Sequence, residues 1–143
     1  EKPKKDTALI NAKNIPMSTK EAMSICRFIK NKKISDAIKD LEAVIKLKKA
    51  VPMKGETPHR RGKIGGGRYP VRAAGNFIVL LKGLAGNSSE MDEPIIYEGM
   101  ANIASRPYGR FGRTRKKRTN IVIKAIEKTK FKDKRKKKGG VKK

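Results

Sequence analysis

Apolar residues near the start of the chain recur at helical spacing, with lysines on the intervening faces. Ser18 is followed three residues later by Glu21, the pattern of a capping box at a helix start. A helix is therefore predicted over residues 19–31 and a second over residues 34–49, where Pro52 ends the pattern. The apolar positions are Ala22, Ile25, Cys26 and Ile29 in the first helix and Ile34, Ile38, Leu41 and Ile45 in the second.

A third helix is predicted over residues 70–87. Pro70 suits the first helical position, and Gly86 followed by Asn87 suits the end of the helix. Its apolar stripe is widened by a second set of positions, so we expect this helix to be the most buried. The stripe comprises Val71, Ala74, Ile78, Leu81 and Ala85, and the residues that widen it are Phe77, Leu80 and Leu84.

The second half of the chain alternates apolar and polar residues, which is typical of strands. Residues 95–104 and 119–126 have this period of two, and residues 7–15 have it more weakly. The basic residues 105–118 are then predicted to form the far end of a hairpin. The residues predicted to share one face of the first of these strands are Ile95, Tyr97, Ala101 and Ile103.

Charge narrows the choice of partner. The chain has 143 residues, enough for one domain, and a formal net charge of +25. A compact body with that much like charge repels itself, so we expect a polyanionic partner, nucleic acid first and an anionic membrane surface second. Residues 1–129 are predicted to form a single domain, and residues 130–143 a basic, disordered tail.

Residues that could carry catalysis or hold a metal are scarce. Cys26 and His59 are the single cysteine and histidine, and Cys26 is expected to be a buried structural residue. Neither a metal site nor a cofactor is predicted, and we expect no enzymatic activity. The carboxylates Glu90, Asp92, Glu93 and Glu98 are interpreted as surface residues.

Residues 52–69 form a long glycine-rich connection between the second and third helices. Its glycines and Lys63 lack the spacing of a phosphate-binding P-loop. Residues 62–65 match the GXXG clamp of KH domains, although that clamp is a much tighter turn. Tyr69 either stacks on a base or caps the following helix. Glycine allows close backbone approach and arginine matches phosphate geometry, so nucleic-acid binding is predicted for Arg60, Arg61, Lys63, Arg68 and Arg72.

The segment between the last two strands is a second basic cluster. Its arginines and lysines are interleaved with two aromatic residues, and aromatic side chains hold unpaired bases by stacking. The nucleic-acid-binding residues predicted here are Arg106, Tyr108, Arg110, Phe111, Arg113, Arg115, Lys116, Lys117 and Arg118.

Three stretches carry a family resemblance: STKEAMSICRFIKNKKISDAIKDLEAVI, KKAVPMKGETPHRRGKIGGGRYPVRAAGNFIVLLKGLAGN, and FGR followed by TNIVI. In this order they resemble the universal large-subunit ribosomal protein family numbered twenty-two in bacteria and seventeen in eukaryotes, in its archaeal form. The resemblance covers about residues 8–128. It implies an α+β fold of three helices against a three-stranded antiparallel sheet, with a long protruding β-hairpin.

The resemblance also implies a function. The body would bind large-subunit ribosomal RNA, and the hairpin, at about residues 103–119, would line part of the nascent-polypeptide exit tunnel. The tip would comprise Gly109, Arg110, Gly112 and Arg113. The five residues 114–118 between FGR and TNI are fewer than the family pattern leads us to expect, which puts the hairpin's length in doubt.

Partners and location follow from the same resemblance. They are large-subunit ribosomal RNA, neighbouring ribosomal proteins and the nascent polypeptide, in a cytoplasmic ribosome, with no membrane contact and no homo-oligomer. The alternative is a KH-like or chromatin-type nucleic-acid-binding protein.

Overall fold

A computed structural model describes residues 7–55, 57–61, 64–128 and 131. Helix α1 spans Thr19–Ile29, α2 spans Ile34–Ile45 and α3 spans Val71–Asn87. The existence of all three predicted helices is confirmed. Helix α2 ends before the predicted residue 49, because the backbone turns at Leu47, which has a positive φ of 57°.

The predicted helix starts need two corrections. Ser18 is the N-cap of α1, but among the described residues its side chain makes no capping hydrogen bond, so the predicted capping box is wrong. Pro70 is the N-cap of α3 rather than its first helical residue. Its φ of −77° suits either position, so the presence of a proline does not tell the N-cap from the first helical residue.

The main sheet is three-stranded and antiparallel, with the order β1-β5-β4. Strand β1 spans Thr7–Ile15, β4 spans Ile95–Ile103 and β5 spans Thr119–Ile126. Two short strands that the pattern did not predict, β2 at Val51–Pro52 and β3 at Gly67–Arg68, pair within the connection between α2 and α3. The α+β fold class, with three helices against a three-stranded antiparallel sheet, is confirmed.

The core lies between the helices and one face of this sheet. Phe77, Ile25, Leu41 and Ile121 are completely buried there. The apolar stripe of α3 is rotated from the predicted position, since Val71 is 40% exposed whereas Ala73 and Leu84 are buried. The residues predicted only to widen the stripe therefore include its most buried members, Phe77 and Leu84.

Strand β4 does not keep one apolar face along its length. An irregularity between Ile96 and Glu98 shifts its register against β5. Odd-numbered side chains before the irregularity therefore point to the opposite face of the sheet from odd-numbered side chains after it. Ile95 and Tyr97 pack with Ile126 in a small second cluster, while Ala101 packs on the main core. The prediction that Ile95, Tyr97, Ala101 and Ile103 share a face is therefore wrong.

The predicted C-terminal tail, residues 130–143, lies outside the described residues except for Phe131. Phe131 is 8% exposed and packs against Ile95 and Ile126. Its amide donates a hydrogen bond of 3.0 Å to the carbonyl oxygen of Glu127. Apolar packing on the outer face of the sheet thus extends to Phe131.

Candidate nucleic-acid interface

The glycine-rich connection folds back on itself. The amide of Arg60 donates to the carbonyl oxygen of Gly65 at 2.7 Å, and the amide of Gly67 donates to that of Pro58 at 3.1 Å. An isolated bridge pairs His59 with Gly66 between these bonds. The described part of the predicted long loop therefore forms two paired segments between β2 and β3. We call these segments the ribbon.

Two glycines make close contacts in this connection. A Cβ atom at Gly66 would lie 2.2 Å from Oγ1 of Thr57, and one at Gly67 would lie 3.0 Å from the carbonyl oxygen of Val51. Gly65 has a φ of 64°, which suits glycine. At Gly66 and Gly67, the close approach that glycine allows is made to the chain itself.

The predicted basic residues of the ribbon differ in exposure. Arg60 is partly buried; its Nε donates to the carbonyl oxygen of Gly67 at 3.2 Å, and its guanidinium lies 4.8 Å from the centre of the Tyr69 ring. One face of Tyr69 is thus covered by a cation. Arg61 and Arg68 are exposed. Lys63 lies outside the described residues.

A cleft beside the ribbon was not predicted as a unit. Arg60 and Arg61 line a depression of about 360 Å³ together with Lys48 and His59. The helical pattern predicts Lys48 at the end of α2, whereas Lys48 lies in the turn that follows Ile45. Its position becomes predictable only when the end of α2 is known, because that turn brings the lysine towards the ribbon.

A second cleft brings the two predicted basic segments together. It has a volume of about 500 Å³, and its cations are Arg72 from the first turn of α3 and Lys116, Lys117 and Arg118 from the chain that enters β5. Pro16, Met17 and Ser18, which precede α1, and Glu21 in its first turn also line the cleft. We call these residues the basic cleft.

The basic cleft also receives the N-terminal ends of two helices. Ser18 and Pro70 are the N-caps of α1 and α3, and neither makes a side-chain capping bond among the described residues. The N-terminal end of a helix carries partial positive charge and amides that lack intrahelical acceptors. Glu21 is the acidic residue that lines the cleft. Backbone and side chains therefore both favour an anion there.

A buried threonine connects the walls of the basic cleft. Thr119 is fully buried, and its hydroxyl donates to the carbonyl oxygen of Met17 at 3.0 Å. Its Oγ1 also lies 3.0 Å from Oγ1 of Thr19. Because Thr119 directly follows Arg118, these bonds fix the start of β5, and with it the basic residues, against the start of α1.

The segment between β4 and β5 reverses direction at residues 109–114. The amide of Gly109 donates to the carbonyl oxygen of Thr114 at 2.6 Å, and Gly112 has a φ of 67°. Beyond the pair Ile103–Thr119, one isolated bridge joins Tyr108 to Arg115. The predicted regular hairpin over about 103–119 is thus not a continuous ladder. The residues predicted for its tip lie in the reversal: Gly109, Arg110, Gly112 and Arg113.

Aromatic side chains are exposed near this reversal. Phe111 is 84% exposed and Tyr108 is 59% exposed. The guanidinium of Arg115 lies 4.6 Å from the Tyr108 ring centre, and its Nη2 donates to the Tyr108 hydroxyl at 2.5 Å. Arg110 lies 5.7 Å from the Phe111 ring centre. Arg106 and Arg113 are exposed in the same segment.

The carboxylates that form ion pairs are elsewhere. Asp40 pairs with Lys32 and Lys49, Glu93 with Lys33 and Lys128, and Glu98 with Lys124. Within the described ranges, the cations of the basic cleft form no ion pair. Their positive charge is therefore available to an external anion.

In the part of the chain that the structure describes, candidate metal ligands are not brought together. Burial raises the pKa of the Cys26 thiol to about 12, so the thiol is protonated at neutral pH. Across the described ranges, no group of three or more His, Cys, Asp or Glu residues is arranged to hold a metal ion. None of the described helices combines the length and the apolar character that crossing a membrane requires.

Comparison with known proteins finds archaeal ribosomal relatives. The large ribosomal subunit protein uL22 of Archaeoglobus fulgidus is 40% identical over 94 residues, covering 61% of this chain and 61% of the relative. The chain is similar to archaeal uL22 proteins. The uL22 of Methanocaldococcus jannaschii is 40% identical over 87 residues (57% of this chain, 56% of the relative), and that of Ignicoccus hospitalis 38% over 96 residues (62% and 60%).

The similarity to uL22 confirms the family resemblance that the sequence stretches predicted. The chain spans about three fifths of the length of these uL22 relatives. No protein-family profile matches it. The relatives are named as ribosomal subunit proteins, in agreement with the expectation that the chain is not an enzyme.

Proposed function

We propose that this chain is a structural constituent of the large ribosomal subunit and binds large-subunit ribosomal RNA. The observation that carries the proposal is the basic cleft, in which Arg72 meets Lys116, Lys117 and Arg118. These cations come from segments more than forty residues apart in sequence, yet they face one space. The names of the uL22 relatives support the assignment to the large subunit.

The chemistry of the cleft suits a nucleic-acid backbone. Guanidinium and ammonium groups bind phosphate oxygens, and the amides at helix N-termini bind them as well. The exposed Phe111 offers a face on which an unpaired base stacks. An RNA that bends between the cleft and the reversal at 109–114 satisfies both features. Arg60, Arg61 and Arg68 of the ribbon offer further cations for RNA. Lys63, which lies outside the described residues, is part of the proposal on its sequence alone.

We extend the proposal to the segment between β4 and β5 and to the other partners of the chain. The segment 103–119, with Gly109, Arg110, Gly112 and Arg113 at its tip, lines part of the nascent-polypeptide exit tunnel and touches the nascent chain. Neighbouring ribosomal proteins are its other partners. The chain acts as a single copy in a cytoplasmic ribosome, with no contact to a membrane. Residues 1–129 act as one domain, and the lysine-rich residues 130–143 add nonspecific affinity for RNA.

The second candidate is a KH-like or chromatin-type nucleic-acid-binding protein. A KH clamp is a tight turn between two helices, whereas the connection from α2 to α3 contains β2, β3 and the ribbon. A chromatin-type protein would bind duplex DNA at least as well as folded RNA. Competition between a large-subunit ribosomal RNA fragment and a duplex DNA of equal length, at matched salt, separates the two. A preference for the duplex would contradict the ribosomal proposal.

Neutralising the basic cleft tests the proposal directly. The double variant Arg72→Gln/Lys117→Gln removes two cleft cations. As a matched control, Lys39→Gln/Lys46→Gln removes one exposed lysine of α2 and the exposed lysine at its C-cap. We expect the cleft variant to lower the slope of log K against log salt by roughly one to two units, since each phosphate contact contributes about 0.7–0.9. An equal change in both variants would mean that the cleft is not a specific contact.

Association with the subunit is a separate measurement. The wild-type chain should sediment with the large subunit at high salt, and deletion of 105–118 should remove crosslinks to the tunnel wall. Unchanged crosslinks would refute the tunnel assignment, while cosedimentation would still support the ribosomal one.

A further inference from the structure

Strand β4 is an edge of the main sheet, and its first residues are covered. The amide of Asn31 donates to the carbonyl oxygen of Ile96 at 2.8 Å, and the amide of Ile96 donates to that of Lys32 at 2.9 Å. The turn between α1 and α2 therefore occupies the place of a neighbouring strand at Ile96. Such cover prevents other chains from pairing with an exposed edge.

The cover ends after the register shift that follows Ile96. The amide of Ala104, which follows β4, donates to the carbonyl oxygen of Arg118, which precedes β5, at 3.0 Å. Since the bonding direction alternates along an antiparallel strand, Gly99, Ala101 and Ile103 direct their amides and carbonyls away from β5. Among the residues that the structure describes, no segment pairs with this stretch of the edge. We call residues 99–103 the open edge.

A groove runs beside the open edge. It has a volume of about 270 Å³ and lies between residues 99–102 of β4 and the side of α1 that carries Met23, Cys26, Arg27 and Lys30. Gly99 brings the strand close to α1, because a Cβ atom there would lie 3.3 Å from Cβ of Cys26. The groove is thus mostly apolar, with two cations and no carboxylate along its lining.

We propose that the open edge binds an extended acidic segment of another protein, which adds a fourth strand to the sheet. An added strand supplies donors and acceptors in the alternation that the edge presents, and its side chains reach the groove. Acidic side chains complement Arg27 and Lys30. This interaction lies outside the proposed RNA-binding surface and does not depend on it.

Charge and hydrogen bonding argue against the other occupants. The chain's own residues 130–143 are rich in lysine, and pairing of two copies would bring their cations together. The phosphate oxygens of an RNA backbone accept hydrogen bonds from the outward amides of the edge. The outward carbonyls of the edge, however, do not find a regular row of donors on that backbone. A protein strand satisfies both kinds of group.

Peptide titration of the full chain tests the proposal. The probe is an acetylated, amidated hexapeptide of alternating glutamate and valine, and the matched peptide has lysine in place of glutamate. Two-dimensional NMR of the wild-type chain should show shifts at Gly99, Ala101 and Ile103, with slower amide exchange, for the glutamate peptide. Shifts confined to other regions would contradict the proposal.

A charge swap makes the test specific. Arg27→Glu/Lys30→Glu should weaken the glutamate peptide at least about tenfold and strengthen the lysine peptide, because like charges across an interface are unfavourable. The control Lys39→Glu/Lys46→Glu makes the same charge change on α2 and should bind as the wild type does at physiological salt. Unchanged affinity in the charge-swapped variant would overturn the proposal.

Removal of one edge donor tests the hydrogen-bonding mode. Ala101→Pro deletes an outward amide, which an edge strand tolerates, and should weaken both peptides. If this variant does not fold, the charge swap still decides the outcome. A single-stranded uridine oligonucleotide is the competing probe. If it shifts the open edge while the peptides do not, the edge binds nucleic acid and the peptide proposal is wrong.

Discussion

Phe77 and Phe111 show how differently the body and the connection between β4 and β5 use one residue type. Phe77 lies in α3 and is completely buried, whereas Phe111 lies in the reversal at 109–114 and is 84% exposed. Burial of an apolar side chain stabilises the folded chain. Phe111 makes little such contribution, because its large apolar surface stays exposed to solvent.

The charges differ in the same way. Lysines of the body are held by Asp40, Glu93 and Glu98, whereas the cations of the basic cleft have no ion pair within the described residues. Part of the body's positive charge is therefore compensated within the fold, whereas the charge of the cleft cations is not. Lysine and arginine occur in both regions, so residue type alone does not tell which cations are paired; the position of the carboxylates in the fold does.

The largest expected difference between the regions is in stability. Phe77→Ala should lower the free energy of unfolding by about 3–5 kcal/mol, because it leaves a cavity in the core. Phe111→Ala should change it by less than about 0.5 kcal/mol, as is usual for exposed positions. Urea denaturation followed by circular dichroism measures both. A loss of several kcal/mol in Phe111→Ala would show that the reversal packs on the body.

Substitution of glycine by alanine should have opposite signs in the two regions. Gly75 lies inside α3 with no atom within 4 Å of an added Cβ, so Gly75→Ala should stabilise the chain by about 0.5–1 kcal/mol. Gly112 has a φ of 67°, so Gly112→Ala should disfavour the reversal by about 1–2 kcal/mol.

Two measurements separate the effects of these glycine variants. The urea midpoint reports Gly75→Ala, and exchange of the Gly109 amide, which bonds Thr114, reports Gly112→Ala. Exchange of that amide should accelerate roughly 5–30-fold. Unchanged exchange would mean that the reversal does not depend on its left-handed residue.

The smallest expected effect is the pH dependence from Glu93. Hydrogen bonds from Lys128 and Lys33 lower its pKa from 4.5 to about 2. Because the folded-state pKa is the lower one, the stabilisation is complete above about 4.5 and is lost as pH falls towards 2. Glu93→Gln should remove this dependence, whereas Glu90→Gln, in the same turn, should retain it. Urea midpoints between pH 7 and pH 2 measure the difference, and identical profiles would contradict the ion-pair assignment.

Most of the fold could be predicted from periodicity because the strongest patterns are local. The three helices, strand β5 and even the weak pattern of β1 follow from spacing within each segment. The face of β4 could not be predicted, since one irregular residue between Ile96 and Glu98 changes which side chains point inward. The prediction of a capping hydrogen bond from Ser18 was wrong for a similar reason, because the capping-box pattern does not specify the rotamer of the serine side chain.

The individual residues of the candidate site could be predicted from the sequence, but the contacts that bring them together could not. Arg72 and Lys117 each stand out in basic segments, yet their meeting depends on how β5 sits against β1 and on the Thr119 hydroxyl. The pairing of Arg60 with Tyr69 was likewise invisible, because it requires the ribbon to fold back. Sequence separation of this size leaves contacts to tertiary structure, which single-segment patterns do not describe.

The bond from Thr119 to Met17 has a thermodynamic consequence. The two walls of the basic cleft exist together only when β5 has joined the sheet, so the unfolded chain has no such site. An anion bound by both walls therefore draws the folding equilibrium towards the native state by mass action. A ligand at one hundred times its dissociation constant adds about 2.7 kcal/mol of stability. For a chain with a net charge of +25, a polyanion that binds this cleft should therefore raise the stability of the fold.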